Sequence, residues 1–269
     1  MKLRDFKIDN NEKMTLMGGM NVLESRDLAM EVAEKFKDVT DKNGINYIFK
    51  GSFDKANRSS INSFRGPGLD EGLKILEEIS KTYDIPVITD IHEPDQAKLV
   101  SEICEVIQIP AFLARQTDIL VSAAKTGKVI NIKKGQFMSS ESMKHAVDKV
   151  VESGNQKVML TERGTQFGYN DLIVDFRGIS ELKKLAPTIL DVTHSVQKPN
   201  QTSGITGGNP EYIESLARAG IVNGIDGIFF ETHTDRSKAK SDSANMLDID
   251  KVEDLLVNLL SIREATSKF

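Results

Sequence analysis

The feature that most narrows the fold is an eightfold alternation along the chain. Short runs rich in Val, Ile and Leu recur, each followed by a polar or glycine-containing loop and then by apolar residues at helical spacing. The runs are Met14 to Met20, Tyr47 to Lys50, Val87 to Ile91, Val106 to Ile109, Val129 to Lys133, Val158 to Thr161, Ile189 to Val192 and Ile228 to Glu231. Strands buried on both faces read as continuous apolar runs, and parallel neighbours need helical crossovers between them. Eight such units predict a (β/α)8 barrel of the α/β class, with an open doubly wound sheet as the alternative the pattern leaves.

The intervening segments support helices. Between the first two runs Leu28, Val32, Phe36 and Val39 share one helical face, Ser25 can cap the start and Gly44 can end it. Leu73, Leu76 and Ile79 follow the second run, Ile119 and Ala123 the fourth, and Ile213, Leu216 and Ala217 the seventh, while Val252, Leu255, Leu256, Leu259 and Leu260 form the last stripe. The opening segment Lys2 to Ile8, with a turn at Asn10-Asn11, predicts a small hairpin cap ahead of the barrel. No linker or low-complexity tract interrupts the 269 residues, so one catalytic domain over 1–269 is expected.

A formal net charge of −5 argues against a nucleic-acid or anionic-membrane surface, which needs a broad basic field. Any anion site must therefore be local. The single cysteine, Cys104, cannot make an intrachain disulfide and reads as a small buried residue ahead of a strand. The first residues carry no apolar signal core, and no run approaches the roughly 18 apolar residues needed to span a bilayer. A cytoplasmic protein is the expectation.

Barrel enzymes place their chemistry at the carboxyl ends of the strands, so polar residues just after each apolar run are the candidates. They include Asn21, Lys50, Lys55, Asn57, Arg58, Ser59, Asp90, His92, Gln108, Arg115, Lys133, Lys134, Arg163, His194, Glu231, His233 and Asp242. Lys50, Lys55, Arg58, Arg115, Lys133 and Arg163 come from four units yet would converge on one mouth, in a protein that is acidic overall. Lys and Arg suit phosphate and carboxylate groups, and the segment from Ser52 to Ser60 could wrap a sugar phosphate.

The glycine-rich pieces Gly66-Pro67-Gly68 and Gly204-Ile205-Thr206-Gly207-Gly208 match neither a dinucleotide fingerprint nor a Walker loop. There is no Cys/His zinc spacing, no Gly-x-Ser-x-Gly elbow and no calcium-loop pattern. His194, Glu231 and Asp242 nonetheless carry donors that could hold a metal. The residues alone leave two further classes open: a Schiff-base lyase using Lys133 or Lys50, and a non-catalytic phosphosugar-binding barrel.

At these same positions the chain resembles the 3-deoxy-D-manno-octulosonate 8-phosphate synthases. The resemblance runs through Gly18-Gly19-Met20-Asn21-Val22-Leu23-Glu24-Ser25, Lys55-Ala56-Asn57-Arg58-Ser59-Ser60, Thr89-Asp90-Ile91-His92-Glu93-Pro94 and the stretch Ile109 to Asp118. It continues through Asn131-Ile132-Lys133-Lys134-Gly135-Gln136-Phe137, Glu162-Arg163-Gly164, Asp191-Val192-Thr193-His194 and Glu231-Thr232-His233. It implies condensation of phosphoenolpyruvate with D-arabinose 5-phosphate, for lipopolysaccharide biosynthesis, by a homotetramer. The related heptulosonate 7-phosphate synthases use a four-carbon acceptor and carry a Lys-Pro-Arg-Thr type segment where Lys55-Ala56-Asn57-Arg58 stands here.

The resemblance further implies that Lys133, Arg163, Gln108 and Lys55 hold phosphoenolpyruvate and that Asn57, Arg58 and Ser59 hold the sugar phosphate. Lys50, Phe112 and Glu231 join the substrate-binding set, and Arg115 reaches a sugar phosphate in a neighbouring subunit. Asn21, Asp90, His194 and Asp242 orient the attacking water. Metal-dependent members place Cys where Asn21 stands, so a metal-independent enzyme without cofactor is expected. Lys133-Lys134-Gly135-Gln136 and Lys240-Ser241-Asp242-Ser243 look more like the metal-dependent branch.

Overall fold

A computed structural model describes residues 1–168, 171–199 and 207–267. Gly204, Ile205 and Thr206 of the second glycine-rich piece therefore lie outside the described residues. The barrel strands are β1 (Thr15–Val22), β2 (Asn46–Ser52), β3 (Val87–Asp90), β4 (Val106–Ile109), β5 (Val129–Lys133), β6 (Val158–Glu162), β7 (Thr188–Asp191) and β8 (Gly227–His233). The helices are α1 (Arg26–Lys42), α2 (Leu69–Tyr83), α3 (Gln96–Ile103), α4 (Thr117–Lys125), α5 (Lys144–Glu152), α6 (Arg177–Leu185), α7 (Ile213–Val222) and α8 (Val252–Thr266).

All neighbouring strands are parallel, and β8 pairs with both β7 and β1, through Leu190 opposite Ile228 and Ile228 opposite Leu16. The sheet is thus closed, which removes the doubly wound alternative. Ser25 caps α1 by accepting from the Leu28 amide, and Gly44 follows the helix at φ 64°, a left-handed conformation that glycine adopts without a Cβ clash. Gly19 allows β1 and β2 to approach, since a Cβ there would lie 2.0 Å from the Lys50 carbonyl oxygen.

Side-chain alternation along the strands explains how a hydrophobic barrel presents a polar mouth. Met17, Ile48, Ile88, Val106, Val129, Met159, Ile189 and Phe229, one from each strand, pack together inside the barrel with Leu3 and Ile8 of the N-terminal segment. Because side chains repeat every two residues, the next inward layer is Gly19, Lys50, Asp90, Gln108, Asn131, Thr161, Asp191 and Glu231. One further step brings Asn21, Lys133 and Arg163 to the rim. The outward residues between them, such as Ile107, Ile109, Ile130 and Leu160, belong to the larger core beneath the helices.

The hairpin cap is present, but its turn differs from the expectation. Lys2–Leu3 pairs with Phe6–Lys7, so the reversal is at Arg4-Asp5, with Arg4 at φ 48°. Arg4 is held there by its guanidinium, which bonds Asp84 at 3.0 Å, Ser80 at 2.9 Å and Glu105. Asn10 instead ties the chain to the barrel floor, its amide donating to Asp226 at 2.9 Å. Cys104 is fully buried, and burial pushes its thiol pKa up. Among the described residues no helix is long and apolar enough to cross a membrane.

Candidate active site

A cavity of about 630 Å³ opens at the carboxyl ends of the strands. Lys50, Lys55, Asn57, Arg58, Ser59, Asp90, Gln108, Phe112, Lys133, Arg163, His194, Glu231 and Asp242 all line it. Asn21 sits just behind, fully buried, with its amide nitrogen donating to Asp242. Arg115 does not reach this mouth. The short turn Ala111–Leu113 carries it outside, into a separate groove with Phe137, His145 and Lys149, where Lys149 Nζ donates to the Arg115 carbonyl at 2.7 Å. The convergence expected of six cations therefore holds for five within one chain.

On one wall, Lys50 is almost fully buried and bonds Asp90 at 2.9 Å and Ser52 at 2.6 Å, while His92 Nε2 lies 3.1 Å from the other Asp90 oxygen. Burial alone would raise the Asp90 pKa, but Lys50, Lys55 and His92 outweigh it and hold the carboxyl well below the usual carboxylate range. Lys55 is the counterpart. Burial lowers its pKa, and nearby Asp90 only partly offsets the loss of solvation.

On the opposite wall, Asp191 is fully buried and joins two functional groups, accepting from Lys133 at 2.5 Å and facing His194 Nδ1 at 2.7 Å. Burial again opposes ionisation, yet His194 and Lys133 hold Asp191 far below the ordinary carboxylate range. The carboxylate draws the hydrogen of a neutral imidazole to Nδ1 and leaves Nε2 facing the cavity, 3.6 Å from Glu231 and 3.9 Å from Asp242. Lys133 Nζ also sits 4.5 Å above the Phe229 ring, a cation–π contact.

Arg163 is set by its backbone. Glu162 accepts from the amides of Arg163 at 3.0 Å and Gly164 at 2.6 Å, and Gly164 turns away at φ 87°. One guanidinium nitrogen donates to Gln197 at 2.7 Å, whereas the other, Nη1, is buried without a partner. A buried guanidinium N–H left free is costly, and a substrate anion would satisfy it. Both carboxylate oxygens of Glu231 are likewise buried and unpartnered, as is the Asn21 side-chain oxygen. These orphans cluster around one volume, as expected where a ligand supplies the missing partners.

The donor set does not fit a resident divalent ion. Among the described residues no three of His, Cys, Asp and Glu are gathered to hold one. Asn21 directs its amide N–H at Asp242 and offers no soft anionic donor. The two lysines that imine chemistry would use are both engaged by carboxylates, Lys50 by Asp90 at 2.9 Å and Lys133 by Asp191 at 2.5 Å. Of the three strand-end histidines, His92 and His194 line the cavity, but His233 is turned aside, its Nδ1 accepting from the Asp235 amide at 2.9 Å.

Residues 2–267 match the model of the DAHP synthetase I family. The chain belongs to this family. Within it, a 2-dehydro-3-deoxyphosphooctonate aldolase from Colwellia psychrerythraea is 51% identical, over 100% of this chain and 96% of its own. Proteins of the same name from Pseudomonas savastanoi pv. phaseolicola and Pseudoalteromonas translucida are 50% and 51% identical, over 100% of this chain and 96% and 95% of theirs.

Three residues of the site were not singled out by sequence reasoning: Asp191, Asn131 and Gln136. Asn131 links Gln108 at 2.7 Å to Thr161 at 2.7 Å, holding the Gln108 amide across the floor. Gln136 lines the cavity with a buried, unpartnered oxygen. The signal for Asp191 and Asn131 was present: each lies two residues after an inward apolar residue, Ile189 and Val129 respectively.

Proposed function

We propose that this protein condenses phosphoenolpyruvate with D-arabinose 5-phosphate and water, giving 3-deoxy-D-manno-octulosonate 8-phosphate and inorganic phosphate. The observation that carries the reading is one mouth that gathers Lys55, Lys133 and the free Nη1 of Arg163 with His194, Glu231 and Asp242. Two anionic substrates need the first group, and a water that must be aimed and deprotonated needs the second. The relatives' names favour the eight-carbon product over a seven-carbon one.

In this reading Lys133, Arg163 and Gln108 bind phosphoenolpyruvate with help from Lys55. Asn57, Arg58 and Ser59 bind the sugar phosphate, with Phe112 closing the rim. The enol C3 of phosphoenolpyruvate forms a bond to the aldehyde carbon, whose oxygen gains negative charge and takes a proton. Lys55, whose pKa is lowered by burial, donates to that oxygen. The cationic C2 then captures water, which loses a proton to the set of Asp90, His194, Asn21 and Asp242. Breaking the C2–O bond to phosphate leaves a ketone and inorganic phosphate.

Lys50 fixes Asp90, and Glu231 accepts from the sugar hydroxyls or from the water. The whole chain forms one cytoplasmic catalytic domain serving lipopolysaccharide synthesis. It assembles as a homotetramer in which Arg115, outside its own cavity, completes a neighbour's sugar-phosphate site.

The acceptor is tested by phosphate release with phosphoenolpyruvate and a panel of four- and five-carbon aldose phosphates. Arabinose 5-phosphate should give stoichiometric release, with erythrose 4-phosphate much poorer. Equal or better turnover of the four-carbon sugar would show that the heptulosonate reaction is the true one.

Arg163→Ala removes a charge-assisted contact to phosphoenolpyruvate and should cost about 1.5–3 kcal/mol, or roughly 10- to 150-fold in kcat/KM. Steady-state kinetics read this directly, and unchanged affinity and rate would remove Arg163 from the site.

A further inference from the structure

Asp242 reaches the cavity from the loop after β8, in the left-handed conformation at φ 45°. A non-glycine residue stays in that region only where its surroundings hold it there. Asn21 holds the carboxylate end. The backbone is held two residues earlier, at the Lys240 peptide. The Lys240 amide donates to Glu24 at 2.9 Å, and the Lys240 carbonyl accepts from Arg58 at 3.3 Å.

Glu24 stands just past β1, and its side chain is only 8% exposed. Its other neighbour is His233, with Nε2 3.6 Å from the Glu24 carboxylate. His233 Nδ1 accepts from the Asp235 amide at 2.9 Å, so the hydrogen of the neutral ring sits on Nε2 and points toward Glu24. Neither side chain lines the cavity. A carboxylate this buried, placed between a turned-aside imidazole and one loop amide, is more than a solvated surface charge.

We propose that Glu24 is a positioning residue: it clamps the Lys240 peptide and thereby sets Asp242 in the geometry that aims the attacking water. The inference rests on the proposed role of Asp242. Arg58 grips the next peptide through the Lys240 carbonyl, donating from Nε to the Phe64 carbonyl at 3.0 Å as well, and Lys240 Nζ lies 4.5 Å over the Phe64 ring. The loop that carries Asp242 is therefore pinned between β1 and the segment that binds the sugar phosphate.

Glu24→Ala should lower kcat by about 10- to 100-fold, the scale of a misplaced catalytic group, with KM for phosphoenolpyruvate within about twofold of wild type. Glu24→Gln keeps an acceptor oxygen for the Lys240 amide and should restore most of kcat. Added to Asp242→Asn, Glu24→Ala should cost less than about twofold more, because both changes disable one element. Thermal unfolding of the full-length enzymes accompanies the kinetics.

Unchanged kcat in Glu24→Ala overturns the inference. So does a loss that Glu24→Gln fails to rescue, one that multiplies with Asp242→Asn, or one shared by KM and thermal stability. If Asp242→Asn itself retains full kcat, the role of Asp242 is what fails. If Asp242→Asn is impaired and Glu24→Ala is not, only the clamp fails.

Discussion

Asp191→Ala should destabilise the folded protein by about 3–5 kcal/mol, because it strands the buried Lys133 ammonium by removing the one carboxylate that pairs with it among the described residues. Asp191 is fully buried, bonds Lys133 at 2.5 Å, and also accepts from the amides of Thr193 at 3.1 Å and His194 at 2.9 Å. Denaturant unfolding should show the loss as a lower midpoint at unchanged slope. Activity should fall further than stability explains. The same substitution releases the His194 ring and the Lys133 ammonium from their shared anchor, so the proposed phosphoenolpyruvate and water sites should be lost together.

A second variant separates the two effects. Lys133→Met in the Asp191→Ala background removes the stranded charge and should recover part of the stability, since an apolar replacement of a buried pair is commonly near neutral. It should recover none of the activity. If Asp191→Ala unfolds at the wild-type midpoint, or the double variant regains turnover, Asp191 is not the brace between the two halves of the site.

That Asp191 escaped sequence reasoning shows which layer of the problem was legible. The barrel was readable because eight short runs rich in Val, Ile and Leu, such as Val129 to Lys133, alternate with stretches at helical spacing, the pattern of parallel strands joined by crossover helices. The strand ends were less so. β1 extends to Val22 and β8 to His233, past the apolar runs, because Val22 pairs with Ser52, and Thr232 and His233 pair with Leu247 and Asp248, while the polarity of these segments imitates a loop. The polar residues that matter are read by counting two and four positions on from an inward apolar residue, a rule that needs the inside of the barrel to be known first.

Long-range partners were not readable at all. Nothing local to Arg115 says that the turn at Ala111–Leu113 carries it out of the cavity, and nothing local to Glu24 names the Lys240 amide, 216 residues away, as its partner. Arg4 makes the same point in the cap. Its turn was misplaced because its conformation is stabilised by Asp84 and Glu105 rather than by turn-forming neighbours. Local propensity yields where a buried or bridged charge decides the backbone.

Catalysis should survive exhaustive chelation, and the reason is the chemistry of Asn21. A neutral amide stands where the metal-dependent synthases have a thiolate, and it spends its N–H on Asp242 rather than offering a soft anionic ligand. His194 is engaged by Asp191 through Nδ1, which leaves only Nε2, with Glu231 at 3.6 Å and Asp242 at 3.9 Å, to attract an ion. Asn21→Cys reverses this. A thiol at the same buried position, with His194, Glu231 and Asp242 around it, completes a four-donor set, and binding a divalent ion then draws the thiolate form from the thiol. The variant should show activity stimulated by Zn, Fe, Co or Mn and lost again on chelation, with bound metal near one per chain by elemental analysis. The native enzyme, stripped and verified metal-free, should keep its phosphate release within about twofold, since no step of the proposed chemistry passes through an ion. Loss of native activity on stripping, restored by a divalent metal, would make His194, Glu231 and Asp242 obligatory ligands and would recast the short Asn21 to Asp242 contact as one that opens when metal binds.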